Sequence, residues 1–212
     1  MEDIARLIAG FRRFQQNHFR GDTELFDQLK KGQQPNALVI GCSDSRVDPA
    51  ILMDCAPGDL FVVRNVANLV PPYEPDAGYH GVSAALEYAV CTLRVMHIIV
   101  MGHSQCGGIN GLMQGVGDGP GEFLGRWVSI AAPARAEVLH GLPGKSAEIQ
   151  QRACEQAAIL LSLDNLLTFP WLRQRVEQGE LWLHGWYFDL LKGELLSYEA
   201  EKAAFRSLVR CP

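Results

Sequence analysis

Two uninterrupted aliphatic runs, Ala37-Leu38-Val39-Ile40-Gly41 and Ile98-Ile99-Val100-Met101-Gly102, limit what this chain can fold into. Each reads as a buried strand, the kind found in parallel sheets covered by helices. Each run also ends in reactive residues: Cys42-Ser43-Asp44-Ser45-Arg46 follows the first, and His103-Ser104-Gln105-Cys106 the second. Two thiols, an imidazole and a carboxylate are therefore expected at two strand tips. If the strands are neighbours, the soft ligands meet.

The rest of the chain alternates in the same way. A further strand is expected over 59–64, entered through Pro57-Gly58, and Asp48-Pro49-Ala50 suits the start of a short helix. Helices are expected over 24–31, 79–93, 107–113, 122–139 and 147–167, with loops at 71–75 and 115–121. A strand over 181–188 turns at Lys192-Gly193 into an antiparallel partner over 194–197, and a final helix is expected over 199–209. This order predicts an α/β fold: a mainly parallel central sheet of four strands plus an antiparallel edge strand, flanked by helices. Sites in such sheets form beyond the C-terminal ends of strands, where the strand order reverses. Cys42 and His103 stand at such ends.

The first stretch, residues 2–19, spaces Ile4, Leu7, Ile8, Phe11 and Phe14 as an amphipathic helix. Pattern alone favours packing on its own core over reaching a partner. One domain is expected, with residues 1–33 as an N-terminal helical arm and 34–212 as the α/β core.

Composition excludes several classes of function. A net charge of −5 without a Lys/Arg cluster argues against nucleic-acid binding. No apolar run nears the roughly 20 residues that span a bilayer. Met1-Glu2-Asp3-Ile4 lacks the basic start of a secretory signal, so a cytoplasmic location is expected. Reduced thiols fit that setting. Of the six cysteines, Cys55, Cys91, Cys154 and Cys211 read as reduced, mostly buried thiols, whereas Cys42 and Cys106 share their strand tips with other ligand types.

Thiolate sulfur and imidazole nitrogen are zinc ligands, and a catalytic zinc keeps one of four positions for water or substrate. Cys42, His103 and Cys106 supply three protein ligands. Asp44 stands two residues from Cys42 and can be a fourth ligand or flank an open position. Arg46 can grip Asp44 with two prongs, which would leave the metal open. Two other readings stand beside this one: a core thiol with an incidental histidine, and a structural zinc closed by Asp44. Ser104 lacks the final glycine of a nucleophile elbow, and His18, His80, His97, His140 and His184 have no ligand-like neighbours.

The chain resembles the β-class carbonic anhydrases over nearly its whole length. The resemblance is carried by Cys42-Ser43-Asp44-Ser45-Arg46-Val47, Val62-Val63-Arg64-Asn65-Val66-Ala67-Asn68, Glu87-Tyr88 and Gly102-His103-Ser104-Gln105-Cys106-Gly107-Gly108. It implies reversible hydration of CO2 to bicarbonate by zinc-bound hydroxide, with one Zn2+ per chain on Cys42, His103 and Cys106. It also implies an Asp44/Arg46 dyad, a Gln33 amide that helps hold substrate oxygen, and a pocket lined by Phe61, Val66, Tyr88 and Gly107. Gln33 also reads as a solvent-facing turn residue. An inhibitory bicarbonate site in another subclass uses a Trp where this chain has Val39, so that regulation is not expected here. The resemblance further implies a homodimer, or a dimer-based tetramer, with pockets at the subunit interface, and an N-terminal helix that reaches across. Two rivals stay open: a carbonyl sulfide-type hydrolase on the same site, and a non-catalytic zinc-binding regulatory protein.

Overall fold

The computed structural model describes residues 2–21, 23–76, 78–116 and 123–210. The chain forms two units, one up to Gln34 and one from Pro35 onward. In the first, α1 (Glu2–Gln16) runs into a π-helical turn at Asn17–Gly21, and α2 (Glu24–Leu29) follows. Phe26 packs against Phe14 and Phe19, with ring centroids 5.4 and 4.8 Å apart, and this aromatic knot ties the two helices together. Ile4, Leu7, Ile8 and Phe11 are 50–63% exposed. The apolar stripe of α1 is thus not buried, contrary to what its pattern alone favours.

The second unit comprises β1 (Ala37–Cys42), α3 (Pro49–Leu52), β2 (Leu60–Asn65), α4 (Gly81–Glu87), β3 (His97–His103) and α5 (Gly107–Met113). It continues with α6 (Leu124–Val128), α7 (Ala132–Gly141), α8 (Ala147–Leu166), α9 (Pro170–Glu177), β4 (Trp182–Asp189), β5 (Glu194–Glu199) and β6 (Ala204–Val209). The described strands form one sheet in the order β2-β1-β3-β4-β5-β6. The first four strands pair in parallel, and β5 and β6 pair antiparallel. From β1 the chain moves to β2 on one side, then returns to β3 on the other. The reversal therefore lies between β1 and β3, at whose C-terminal ends Cys42 and His103 sit.

Both central strands are buried on both faces, as their unbroken apolar runs require. Leu38, Ile40, Ile98 and Val100 join Leu86, Val90, Ile159 and Leu172 in the main core. Val39, Ile99 and Met101 pack on the opposite face with Met53 and Trp186. A third cluster, with Ile109, Val128 and Cys154, contains Cys42 and Cys106. α8 lies close to the sheet because Gly102 presents no side chain: a Cβ there would come within 2.7 Å of Ile159 Cδ1.

The expected fold class holds, and four segments differ in detail. The segment expected as a helix over 199–209 instead holds the last residue of β5, a 3-10 turn, Ala200–Lys202, and β6, so the sheet carries a second antiparallel strand. The helix expected over 122–139 breaks into α6, a 3-10 turn and α7, because Pro133 in the first turn of α7 has no N–H to continue a helix. The helix expected over 79–93 begins at Gly81 and ends in a π-helical turn, Tyr88–Thr92. α9 was not expected; Pro170 sits in its first turn, where proline costs nothing. Glu122, Cys211 and most of the 115–121 loop lie outside the described residues.

Candidate metal centre

Cys42 is the last residue of β1, His103 the last of β3, and Cys106 the residue just before α5. The turn between them holds Gln105 in the left-handed region, at φ 58°. The three side chains are buried, and their ligand atoms all lie within 4.8 Å of one another. The two sulfurs are 4.0 Å apart and not bonded. Thiolates at about 2.3 Å from one tetrahedral zinc would stand about 3.8 Å apart, so the spacing fits without rearrangement.

His103 supplies the clearest test of fit. Its Nδ1 is 2.9 Å from the Ser104 carbonyl, to which it donates. That bond fixes the tautomer and leaves a lone pair on Nε2. Nε2 is buried and has no hydrogen-bond partner. A buried polar nitrogen is costly to leave unpaired, and a cation shared with two sulfurs satisfies it. Between the thiols, the Cys106 hydrogen bond pulls Cys42 down, and the same contact pushes Cys106 up.

Asp44 and Arg46 stand beside this group. Arg46 donates from Nε to Oδ1 at 2.9 Å and from Nη2 to Oδ2 at 2.7 Å, and its own main-chain N–H reaches Oδ1 at 3.0 Å. These bonds hold the Asp44 carboxyl well below the usual carboxylate range. Nη2 also donates to the Gln105 carbonyl at 3.1 Å, which joins the two motifs. Gly107 follows Cys106 as the first residue of α5, and Val66 packs against the next residue, where a Cβ on Gly108 would come within 2.7 Å of Val66 Cγ1. Phe61 and Tyr88 form a separate pair, with ring centroids 5.8 Å apart. Phe61 sits opposite Leu38 in the sheet, about 13 Å along β1 from Cys42 at roughly 3.3 Å per residue. Gln33 is exposed at the end of the first unit.

Two supporting residues had no role in the sequence reading, where Arg64 appears only inside a motif and Glu155 not at all. Arg64, at the end of β2, donates to the carbonyls of Cys42 at 2.8 Å and Asp44 at 2.7 Å, and to Asp48 Oδ2 at 2.7 Å. Asp48 in turn accepts from the amides of Ala50 and Ile51 and caps α3. Glu155 accepts from the Cys106 amide at 3.0 Å. A signal for Glu155 was present: it shares a helical stripe with Ile159, Ser162 and Leu166, and a carboxylate on a buried stripe needs partners.

Comparison with known proteins agrees with this geometry. The sequence model of the carbonic anhydrase family matches residues 37–195. Beta carbonic anhydrase 3 of Arabidopsis thaliana is 38% identical over 204 residues, covering 95% of this chain and 79% of the relative. The solved β-carbonic anhydrase CcaA superposes with a TM-score of 0.91 at 36% identity, over 99% of this chain and 93% of that one. A tetrameric β-carbonic anhydrase from the filamentous ascomycete Sordaria macrospora gives a TM-score of 0.76 at 27% identity, over 98% of each chain. With sequence and fold matched over almost its full length, this chain belongs to the β-class carbonic anhydrases and is a carbonate dehydratase.

Proposed function

We propose that the enzyme carries out the reversible hydration of CO2 to bicarbonate and a proton at one zinc ion held by Cys42, His103 and Cys106. The observation that carries this reading is His103 Nε2, buried and unpaired, within 4.8 Å of two thiols. Zinc, when bound, lowers the pKa of a water to roughly 7 and so makes a nucleophile available near neutrality. The chain's own residues do the rest. Arg46 occupies both oxygens of Asp44, which keeps the carboxylate from serving as a fourth ligand. Asp44, its carboxyl held low by the Arg46 hydrogen bonds, accepts a hydrogen bond from the attacking water and aims its lone pair at the substrate carbon. Val66 and Gly107 of one subunit, with Phe61 and Tyr88 of the partner subunit, line an apolar pocket suited to a small neutral substrate, and the amide of Gln33 of the partner subunit donates to its oxygen. The released proton leaves to buffer.

The Phe61–Tyr88 pair lies too far back along the sheet to line the Cys42 pocket of its own chain. That supports a homodimer, or a dimer-based tetramer, in which the partner subunit completes each pocket, and the tetrameric Sordaria enzyme is consistent with it. Among the described residues no helix is long and apolar enough to cross a membrane, and free cysteines are consistent with a reducing, cytoplasmic setting.

The test is direct. Purified protein is expected to hold one zinc per chain and to speed CO2 hydration in a stopped-flow indicator assay. Asp44→Asn is expected to keep the zinc and lose most of the rate. Full zinc without hydration activity in the wild type would overturn the reading in favour of a binding protein. Faster turnover of carbonyl sulfide than of CO2 would overturn the substrate assignment.

A further inference from the structure

Glu155 stands in the middle of α8 and is only 3% exposed. A carboxyl group buried there needs hydrogen-bond partners, and three donors converge on it. The Cys106 amide reaches Oε1 at 3.0 Å and Gln151 Nε2 reaches the same oxygen at 2.9 Å. The Tyr187 hydroxyl donates to Oε2 at 2.7 Å. Tyr187 is itself fully buried, and burial together with the Glu155 charge pushes its pKa up, so its hydroxyl stays a donor.

The segment that Glu155 holds is under strain. Gln105 has φ 58°, a conformation that a residue with a Cβ keeps only where its neighbours over-determine it. On one side of Gln105, the Ser104 amide donates to the Phe188 carbonyl at 2.9 Å, and Ser104 Oγ accepts from the Leu190 amide at 2.8 Å. On the other side, the Cys106 amide is held by Glu155. Pinned at both ends, the turn points the Gln105 carbonyl at Arg46 and the Cys106 sulfur at Cys42.

We propose that Glu155 is a positioning residue of the metal centre: by holding the Cys106 amide it locks the left-handed turn at Gln105, and with it the direction of the Cys106 thiol and the carbonyl that receives Arg46. This inference rests on the zinc site proposed above. Residues one step behind metal ligands change metal affinity by about 10- to 100-fold when removed, and Glu155 belongs to that class although it touches no ligand atom.

The experiment titrates metal-free protein with zinc against a chromophoric chelator, with cobalt(II) absorption recorded in parallel. Glu155→Met is expected to weaken zinc binding at least about 10-fold and to shift the cobalt–thiolate band, while the metal-free protein still melts cooperatively. Glu155→Gln is expected to bind nearly as wild type. Its carbonyl can still accept from Cys106 while its NH2 turns to Tyr187, whose hydroxyl can accept as well as donate. Zinc affinity and cobalt spectra unchanged in Glu155→Met would overturn the proposal, as would a loss in Glu155→Gln equal to that in Glu155→Met. If Glu155→Met does not fold, Tyr187→Phe takes its place. Removing that donor is expected to weaken zinc binding several-fold, and an unchanged affinity would overturn the proposal. Wild-type protein that binds no zinc would instead overturn the metal site itself.

Discussion

Asp44 Oδ2 lies 3.9 Å from His103 Nε2, while the same oxygen is 2.7 Å from Arg46 Nη2. A single carboxylate oxygen thus stands between a permanent cation and the unpaired nitrogen that faces the two thiols. Asp44 is close enough to the site to act on a water there, and it is held back from joining the ligands.

Arg46 should therefore control rate and leave metal content alone. Arg46→Ala is expected to retain one zinc per chain and to lose about 100-fold in CO2 hydration, the scale of a catalytic group displaced by about 1 Å. Arg46→Lys should restore little, because an ammonium cannot reproduce the two parallel bonds to Oδ1 and Oδ2. Metal analysis beside stopped-flow hydration checks both. A drop in zinc content with Arg46→Ala would count against this division of labour.

Arg64 supports the same turn from below. Its guanidinium satisfies the carbonyls of Cys42 and Asp44 and pairs with the Asp48 cap. Arg64→Gln strands at least one of these acceptors in a half-buried setting, at a cost of about 1–3 kcal/mol. Urea unfolding of the metal-free protein should show that loss, and hydration by the zinc-loaded variant should fall with it. An unchanged unfolding midpoint would mean that water replaces the guanidinium.

The parts of the fold legible in the sequence are those set by local chemistry. The apolar runs of β1 and β3, the Asp48-Pro49 helix start and the His103–Cys106 turn each carry their own signal within a few residues. The candidate site was legible for the same reason, since Cys42, Asp44, Arg46, His103 and Cys106 lie on two short motifs. Residues 199–209 were misread because Ala, Glu, Lys and Leu favour helix locally. Their conformation is decided elsewhere: β5 would otherwise expose a row of unpaired backbone groups, and β6 covers it. Phe205 then packs on Tyr187 and Tyr198, with centroids 6.2 and 5.4 Å away. Arg64 was quoted without a role and Glu155 was passed over because the partners that define them, Cys42 and Asp44 for the one and Cys106 and Tyr187 for the other, lie far along the chain. The buried stripe of α8 signals only that Glu155 needs a partner, not which one.

Asp189 and Arg152 predict a pH dependence of stability. Burial alone would raise the Asp189 carboxyl, but the hydrogen bond and charge of Arg152, with the amides of Leu191 and Lys192, outweigh it and leave it lowered. The unfolded chain titrates near about 3.9, so it binds the proton more readily than the fold does. The stabilisation is therefore complete above the unfolded value and is lost as pH falls through the lower, folded one. Asp189→Asn is expected to be less stable than wild type at neutral pH, with the gap closing below about pH 4. Urea titrations of metal-free protein across that range test it; a gap independent of pH would assign the loss to packing.

Gly102 allows the last prediction to be tied to packing. It precedes His103 on β3, and a Cβ there would meet Ile159 Cδ1 at 2.7 Å and Cγ1 at 2.9 Å. Gly102→Ala forces either α8 or the strand to shift, an overpacking cost of about 1–3 kcal/mol. Ile159→Val removes Cδ1, the nearer of the two atoms. If the clash is the cause, the double variant loses less stability than the sum of the singles, with a coupling of at least about 0.5 kcal/mol. Because His103 is the next residue, Gly102→Ala should also weaken zinc binding, and Ile159→Val should recover part of it. Additive stabilities with unchanged zinc affinity would show that α8 yields freely and that the close approach does not position the histidine.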